Sequence, residues 1–225
     1  MTSLTRHAAG ERLARHRHAE GYVALVLAGS YVEAGAGARI AARPGDVILH
    51  GSYDAHQDDF GRAGATVLNL PLTGGIARYG RVDDPDLVAR MAERDPVAAA
   101  SLVAATMTAL DAQPADWPDL LAEALSGEEE IALGDWADRI GIAPQSLSRG
   151  FRQAFGVSPK RYRLEQRTQA ALRRMAGWNG TLAGLAAEAG FADQAHFARA
   201  VSAMTGTSPQ RLKVQSVQSG TRPSA

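Results

Sequence analysis

The chain has 225 residues, 45% of them apolar, enough for ordinary cores; this is about one and a half times a usual domain, so two domains are expected. It contains no Cys, which excludes disulfides, thiolate metal sites, a Cys nucleophile and thiol-based redox sensing. Net charge is zero, but residues 1–130 hold 11 Lys/Arg against 19 Asp/Glu (−8) and residues 131–225 hold 13 against 5 (+8), which makes the second half the candidate for nucleic acid.

Met1 to His18 carries Arg6, Arg12 and Arg15 with no apolar run after them, unlike a secretory signal. No stretch approaches the ~18 apolar residues of a membrane span, so a cytoplasmic protein is expected. Residues 19–72 read as strands and turns. Tyr22–Leu27 is a continuous apolar run, Val47–Leu49 and Thr66–Leu70 are further β-type runs, and Gly or Pro-Gly turns punctuate them. Short strands with turn signals every 8–12 residues predict a small sandwich or barrel.

The pattern becomes helical after Asp83-Asp84-Pro85, with Leu87, Val88 and Met91 at helical spacing. Asp95-Pro96 opens a second helix, with Val97, Leu102, Ala105 and Leu110 expected inward and its end at Gln113-Pro114. Trp117-Pro118-Asp119 opens a third, with Leu120, Leu121, Ala124 and Leu125 inward, and Glu128-Glu129-Glu130 reads as a solvated connection. Helices are then predicted over Leu133–Ile140, Pro144–Ala154, Pro159–Met175, Leu182–Ala189 and Gln194–Met204, followed by a polar tail over 214–225.

The second half repeats itself. Ala137, Gly141 and Ile142 recur 49 positions later as Ala186, Gly190 and Phe191. Leu147, Arg149, Phe151, Gly156, Ser158 and Pro159 recur 50 positions later as Phe197, Arg199, Val201, Gly206, Ser208 and Pro209. The extra residue falls in the turn, where insertion costs least. Each copy has a helix with a small close-contact Ala, a Gly for a left-handed turn, an apolar plug and a second helix, the grammar of a helix-turn-helix. With Leu147, Phe151 and Phe155 inward in one copy and Phe197, Val201 and Met204 in the other, the opposite faces present Gln145, Ser148, Arg149 and Arg152, and Gln194, Ala195, Ala198 and Arg199. Gln can pair bidentately with adenine and Arg with guanine in the major groove. Solvated polar faces on packed helices are the alternative for any one of these residues; the same Gln-then-Arg order in both copies favours DNA.

Residues 116–213 resemble the DNA-binding domain of the AraC/XylS family, through LGDWADRIGIAPQSLSRGFRQAFGVSPKRYRLEQR and LAGLAAEAGFADQAHFARAVSAMTGTSPQRLK. The resemblance implies two helix-turn-helix units joined by a long helix near Pro159–Met175, with recognition helices in successive major grooves about 10 base pairs apart. It places base-reaching groups at Gln145, Ser148, Arg149, Gln194, Ala195 and Arg199. Arg152, Lys160, Arg161, Arg163 and Arg167 become phosphate contacts or salt-bridge formers. Ala143 stands where a Ser cap is common, Val201 where an aromatic is usual and Leu212 where Tyr is usual. His196 is expected to pack or face phosphate.

Five of the six His lie in the first half. His16-Arg17-His18, Pro44-Gly45-Asp46, a short strand and His56 resemble, in that order, the cupin β-barrel, which also serves AraC/XylS regulators as a sensor. The resemblance implies an effector pocket at His16, His18, Tyr22 and His56, and a divalent metal (Zn, Fe, Ni or Mn) on His16, His18 and His56. Tyr22 occupies the position where a metal-binding cupin usually has its carboxylate, and the alternative is a His-lined pocket without metal. Asp58-Asp59 reads as a solvated loop.

The expected fold class is therefore α+β: a small cupin-like β-barrel sensor (1–80), a helical connector suited to dimerisation (81–113), a double helix-turn-helix domain (114–213) and a flexible tail (214–225). The expected function is a non-enzymatic, sequence-specific transcription regulator. Its partners are double-stranded DNA, a small-molecule effector, a second copy of the chain and, if it is an activator, RNA polymerase. A metal-dependent cupin oxidoreductase or isomerase, and a ligand-free DNA binder whose barrel only dimerises, are the competing readings. The sequence shows no Ser-His-Asp arrangement, phosphate loop or paired catalytic carboxylates.

Overall fold

The computed structural model describes residues 2–73, 77–127, 129 and 131–219. The chain forms two compact units, Met1–Ser158 and Pro159–Ala225. The expected boundary at 113/114 does not coincide with this division, and the first helix-turn-helix groups with the β-sheet. No helix among the described residues is long and apolar enough to cross a membrane.

The first unit opens with β1 (Ser3–His7), β2 (Arg12–Arg17), β3 (Tyr22–Ala34), β4 (Arg39–Ala42), β5 (Asp46–His50), β6 (Ala55–Pro71) and β7 (Tyr79–Arg81). These form one antiparallel sheet with β8 (Thr108–Ala109), in the order β1-β6-β3-β5-β7-β8, with β2 also on β6 and β4 also on β3. The ladder does not close on itself among the described residues, so the expected barrel is an open, curved sheet. The β unit is also larger than the 19–72 stretch read as strands, since it begins at Ser3 and takes in Thr108–Ala109.

Curvature comes from the two long strands. β3 and β6 pair from Tyr22↔Pro71 to Ala34↔Gln57, with register shifts between Val26 and Ala28 and between Gly29 and Tyr31. Such irregularities bend a strand. Gly29 and Gly64 both have positive φ (74° and 67°), and a Cβ on Gly29 would lie 2.0 Å from the Gly64 carbonyl oxygen, so the bend requires glycine there.

The continuous apolar run of β3 is explained by burial on both sides. Val23 and Leu25 face one core with Val47, Leu68 and Leu70, closed by Val88 and Ala92 of α1 (Pro85–Ala92) and Ala99, Ala100 and Val103 of α2 (Pro96–Thr106). Ala24 and Val26 face a second core with Tyr31, Ile48, Phe60 and Val67 on the other side.

Two helix faces differ from expectation. In α2 the buried residues are Ala99, Ala100 and Val103, while Val97 is 58% exposed. The helix ends at Thr106, not Gln113, because Thr108–Ala109 pairs with Gly80–Arg81; Leu110 is therefore outside it. In α3 (Trp117–Ser126), Leu121, Ala122 and Leu125 are buried and Leu120 is exposed. The sheet holds the start of α3 through Arg39. Its backbone N–H and Nε donate to Asp119 Oδ1 at 3.1 and 2.9 Å, its Nη2 donates to Oδ2 at 3.2 Å, and it also pairs with Asp116. Of the predicted Glu128–Glu130 connection, positions 128 and 130 lie outside the described residues.

The first unit ends with α4 (Leu133–Arg139) and α5 (Pro144–Phe155). The second holds α6 (Pro159–Met175), α7 (Leu182–Glu188), α8 (Gln194–Thr205) and α9 (Pro209–Ser219). The core of α6, α7 and α8 contains Ala171, Met175, Leu185, Phe191, Phe197 and Val201. The tail expected from 214 is helical through Ser219, because Pro209 starts a helix that runs on; positions 220–225 lie outside the described residues.

Candidate functional site

The two turns of the repeat have the same backbone chemistry. Between α4 and α5, Gly141 has φ 69° and the Ile142 N–H donates to the Ala137 carbonyl at 3.0 Å. Between α7 and α8, Gly190 has φ 72° and the Phe191 N–H donates to the Ala186 carbonyl at 2.9 Å. Ala137 and Ala186 are both fully buried, as close helix approach requires. Gly156 and Gly206 end α5 and α8 in the left-handed conformation, φ 75° and 72°. The N-termini differ. Asp193 caps α8 by accepting from the His196 N–H at 2.6 Å, whereas Ala143 offers α5 no side-chain cap.

Within each unit the apolar side of the second helix is buried: Leu147, Phe151 and Phe155 in α5, and Phe197, Val201 and Met204 in α8. Gln145, Ser148, Arg149 and Arg152 are exposed on α5, and Gln194, Ala195 and Arg199 are exposed on α8. His196 is half-buried, edge-on to Phe191 at 5.3 Å between ring centroids. Lys160 is exposed, but Arg161 pairs with Glu165 at 3.1 Å and Arg167 Nη1 donates to the Gly190 carbonyl at 2.6 Å. Arg161 and Arg167 therefore brace the second unit.

The curved sheet encloses a cavity of about 690 Å³, the size of a small-ligand site. Its walls include all four expected effector residues, His16, His18, Tyr22 and His56. His16 and His56 stand opposite each other in the β2–β6 ladder, ring centroids 4.3 Å apart, and His18 lies 5.0 and 5.7 Å from them. The Tyr22 hydroxyl is 3.5 Å from His56 Nε2.

Sequence reading missed much of this wall. His50 and Glu33 are buried and 3.4 Å apart, and His7 stacks on Phe60 at 3.9 Å. Asp58 is a correction: expected in a solvated loop, it is 6% exposed and lies 3.8 Å from His56, while Asp59 pairs with Arg12. Side chains alternate along a strand, so His56, Asp58 and Phe60 face the cavity together. That i, i+2 spacing within a long strand was the available signal.

Burial sets the charge state of the cavity. It holds the imidazoles of His50 and His56 neutral, His56 down to about 3 with help from His16 and His18, and lowers His18 as well. It raises Glu33 well above the carboxylate range and pushes Asp58 up to about 7, with Asp59 adding to the shift.

The trio His16, His18 and His56 could hold a divalent cation. One ring nitrogen from each lies within 4.8 Å of the others. His16 Nδ1 is 2.9 Å from the Ala14 carbonyl, which can only accept, so Nδ1 carries the proton and Nε2 is left as the ligating atom.

A family model described as a helix-turn-helix domain matches residues 136–215. Among solved structures, a transcriptional regulator from Chromobacterium violaceum described as having an AraC-type DNA-binding domain is 23% identical, covers 44% of this chain and 89% of its own, and has a TM-score of 0.40. ToxT from Vibrio cholerae is 9% identical over 95% of this chain and 97% of its own, at a TM-score of 0.41. The C-terminal domain of AraT, a response regulator from Geobacillus stearothermophilus, is 20% identical over 44% of this chain and 80% of its own, at 0.37. Among curated proteins there is no match.

Proposed function

We propose that the protein is a sequence-specific DNA-binding transcription regulator of AraC/XylS type, whose helix-turn-helix domain matches over residues 136–215 and whose N-terminal cavity senses a small ligand. One observation carries the reading: the same turn is built twice, and each copy buries its apolar side while exposing a Gln in the first turn of its second helix and an Arg four residues on in α5 and five residues on in α8. In this reading α5 and α8 are the recognition helices. Gln145, Ser148, Arg149, Gln194 and Arg199 reach base edges, Ala195 meets thymine methyls, and Arg152 meets phosphate. α8 offers fewer hydrogen-bonding groups, so α5 carries more of the specificity. Gel-shift titration of the full chain on DNA from upstream of its own gene tests the reading; a sequence-selective shift is expected, and no protection of any segment at low salt contradicts it.

His16, His18, Tyr22 and His56 are the effector contacts. When a divalent cation is bound, it supplies a fixed positive charge held by His16, His18 and His56. Dialysis against Zn(II) followed by elemental analysis is expected to leave one ion per chain. His16→Ala or His18→Ala is expected to weaken retention about tenfold or more, since three-ligand sites fail when a ligand goes. Less than a tenth of an equivalent on the native chain contradicts the metal assignment. Stoichiometric metal with no DNA binding favours instead a metal-dependent enzyme built on the same cavity. A second copy of the chain and RNA polymerase are the further partners proposed for the regulator.

A further inference from the structure

The last turn of the first recognition helix is capped by the β-sheet. An α-helix leaves its final carbonyls without intrahelical donors. In α5, the Ala154 carbonyl accepts from Gln57 Nε2 at 2.9 Å and the Phe155 carbonyl accepts from Arg15 Nη1 at 3.3 Å. The same Arg15 nitrogen donates to the Ala34 carbonyl of β3 at 3.3 Å, so one guanidinium joins β2, β3 and α5. Its charge also suits the negative end of the helix dipole. Gly156 makes the approach close: a Cβ there would lie 2.3 Å from Gln57 Oε1 and 3.2 Å from Arg15 Cβ.

Both donors are chain neighbours of cavity residues. Arg15 precedes His16 on β2, and Gln57 sits between His56 and Asp58 on β6. His16 and His56 face each other across the ladder and both line the cavity. The segment of sheet that presents these imidazoles to a ligand thus also carries the two side chains that hold α5. A ligand that grips His16 and His56 grips β2 and β6, and any displacement of those strands reaches the end of the helix bearing Arg149.

The geometry points to Gln57 and Arg15 as positioning residues for DNA reading, through which the state of the histidine cavity is felt by the first recognition helix. The inference rests on the regulator reading above and adds the route of control.

Zn(II) is the probe, on the full chain. Metal content, amide hydrogen exchange over residues 151–157 and DNA affinity are read together. In the native chain Zn(II) is expected to change both exchange and DNA affinity by about fivefold or more, the usual size of a coupling between sites. Gln57→Ala and Arg15→Met are expected to bind Zn(II) as before and lose both responses, while Arg15→Lys, which keeps a donor and the charge, retains part of them. Zn(II) bound with no change over 151–157, or with the same change in the variants, overturns the relay. If the native chain takes up no Zn(II), His16→Ala replaces the ion as the perturbation of the cavity. A change over 151–157 that Gln57→Ala abolishes then supports the relay, and an equal change or none in both backgrounds overturns it. Failure of every form to bind DNA removes the regulator reading, and exchange alone then decides whether the cavity and α5 are coupled.

Discussion

Asp119→Ala is expected to destabilise the first unit by about 3–5 kcal/mol, the usual cost of removing one partner from a buried ion pair. Asp119 is fully buried and accepts four hydrogen bonds: three from Arg39 and one from the Ala115 N–H at 2.9 Å. Its loss strands two backbone N–H groups, each costly to leave without an acceptor, and leaves a largely buried guanidinium with Asp116 as its remaining carboxylate partner. Asp119→Asn keeps the shape and one acceptor and should cost less. The sign of the pH dependence follows from the carboxyl. Burial alone would raise its pKa, but the hydrogen bonds from Arg39 and the Ala115 amide outweigh burial and hold it below its ordinary value. The charged pair therefore contributes fully above the unfolded pKa of 3.8 and is lost as pH falls through the lower folded value. Urea denaturation of native and Asp119→Asn protein should show a gap that is constant near neutrality and narrows below about pH 4. A gap that widens on acidification contradicts the assignment.

Arg149→Ala is the second large effect, on binding and not on folding. Arg149 is exposed on α5, while Leu147 and Phe151 pack that helix. Removing a bidentate Arg contact to guanine is expected to weaken specific binding by about 1–3 kcal/mol and to relax preference at one base position. Thermal unfolding should be unchanged. A uniform loss across all DNA sequences, with a shallower salt dependence, would make Arg149 a phosphate contact and move base reading elsewhere on α5.

The helix-turn-helix pair was legible because local chemistry decides it. Gly141 and Gly190 are needed where φ is positive, and Ala137 and Ala186 where helices touch. The α2 face was not legible. PVAAASLVAAT is apolar nearly all round, so periodicity cannot say which side is buried, and the sheet decides for Ala99, Ala100 and Val103. The extent of the sheet was hidden for a related reason. β1 and β2, SLTRH and RLARHR, are short and mostly polar, and are strands because β6 offers a long ladder to both. Half the cavity was legible. The H-x-H pair and His56 stood out through an order that resembles the cupin barrel, and Asp58 shares the face of His56 two residues on, but Glu33 and His50 reach the cavity only through the pairing of β3, β5 and β6, which no local pattern specifies.

Selection of DNA ligands from a random pool by the full chain reads out whether α5 and α8 recognise sequence. Enrichment of a site with two elements about 10 base pairs apart, centre to centre, is expected, with Arg149→Ala erasing information in one element and Arg199→Ala in the other. A pool that shows no enriched sequence after repeated rounds at low salt would contradict that recognition.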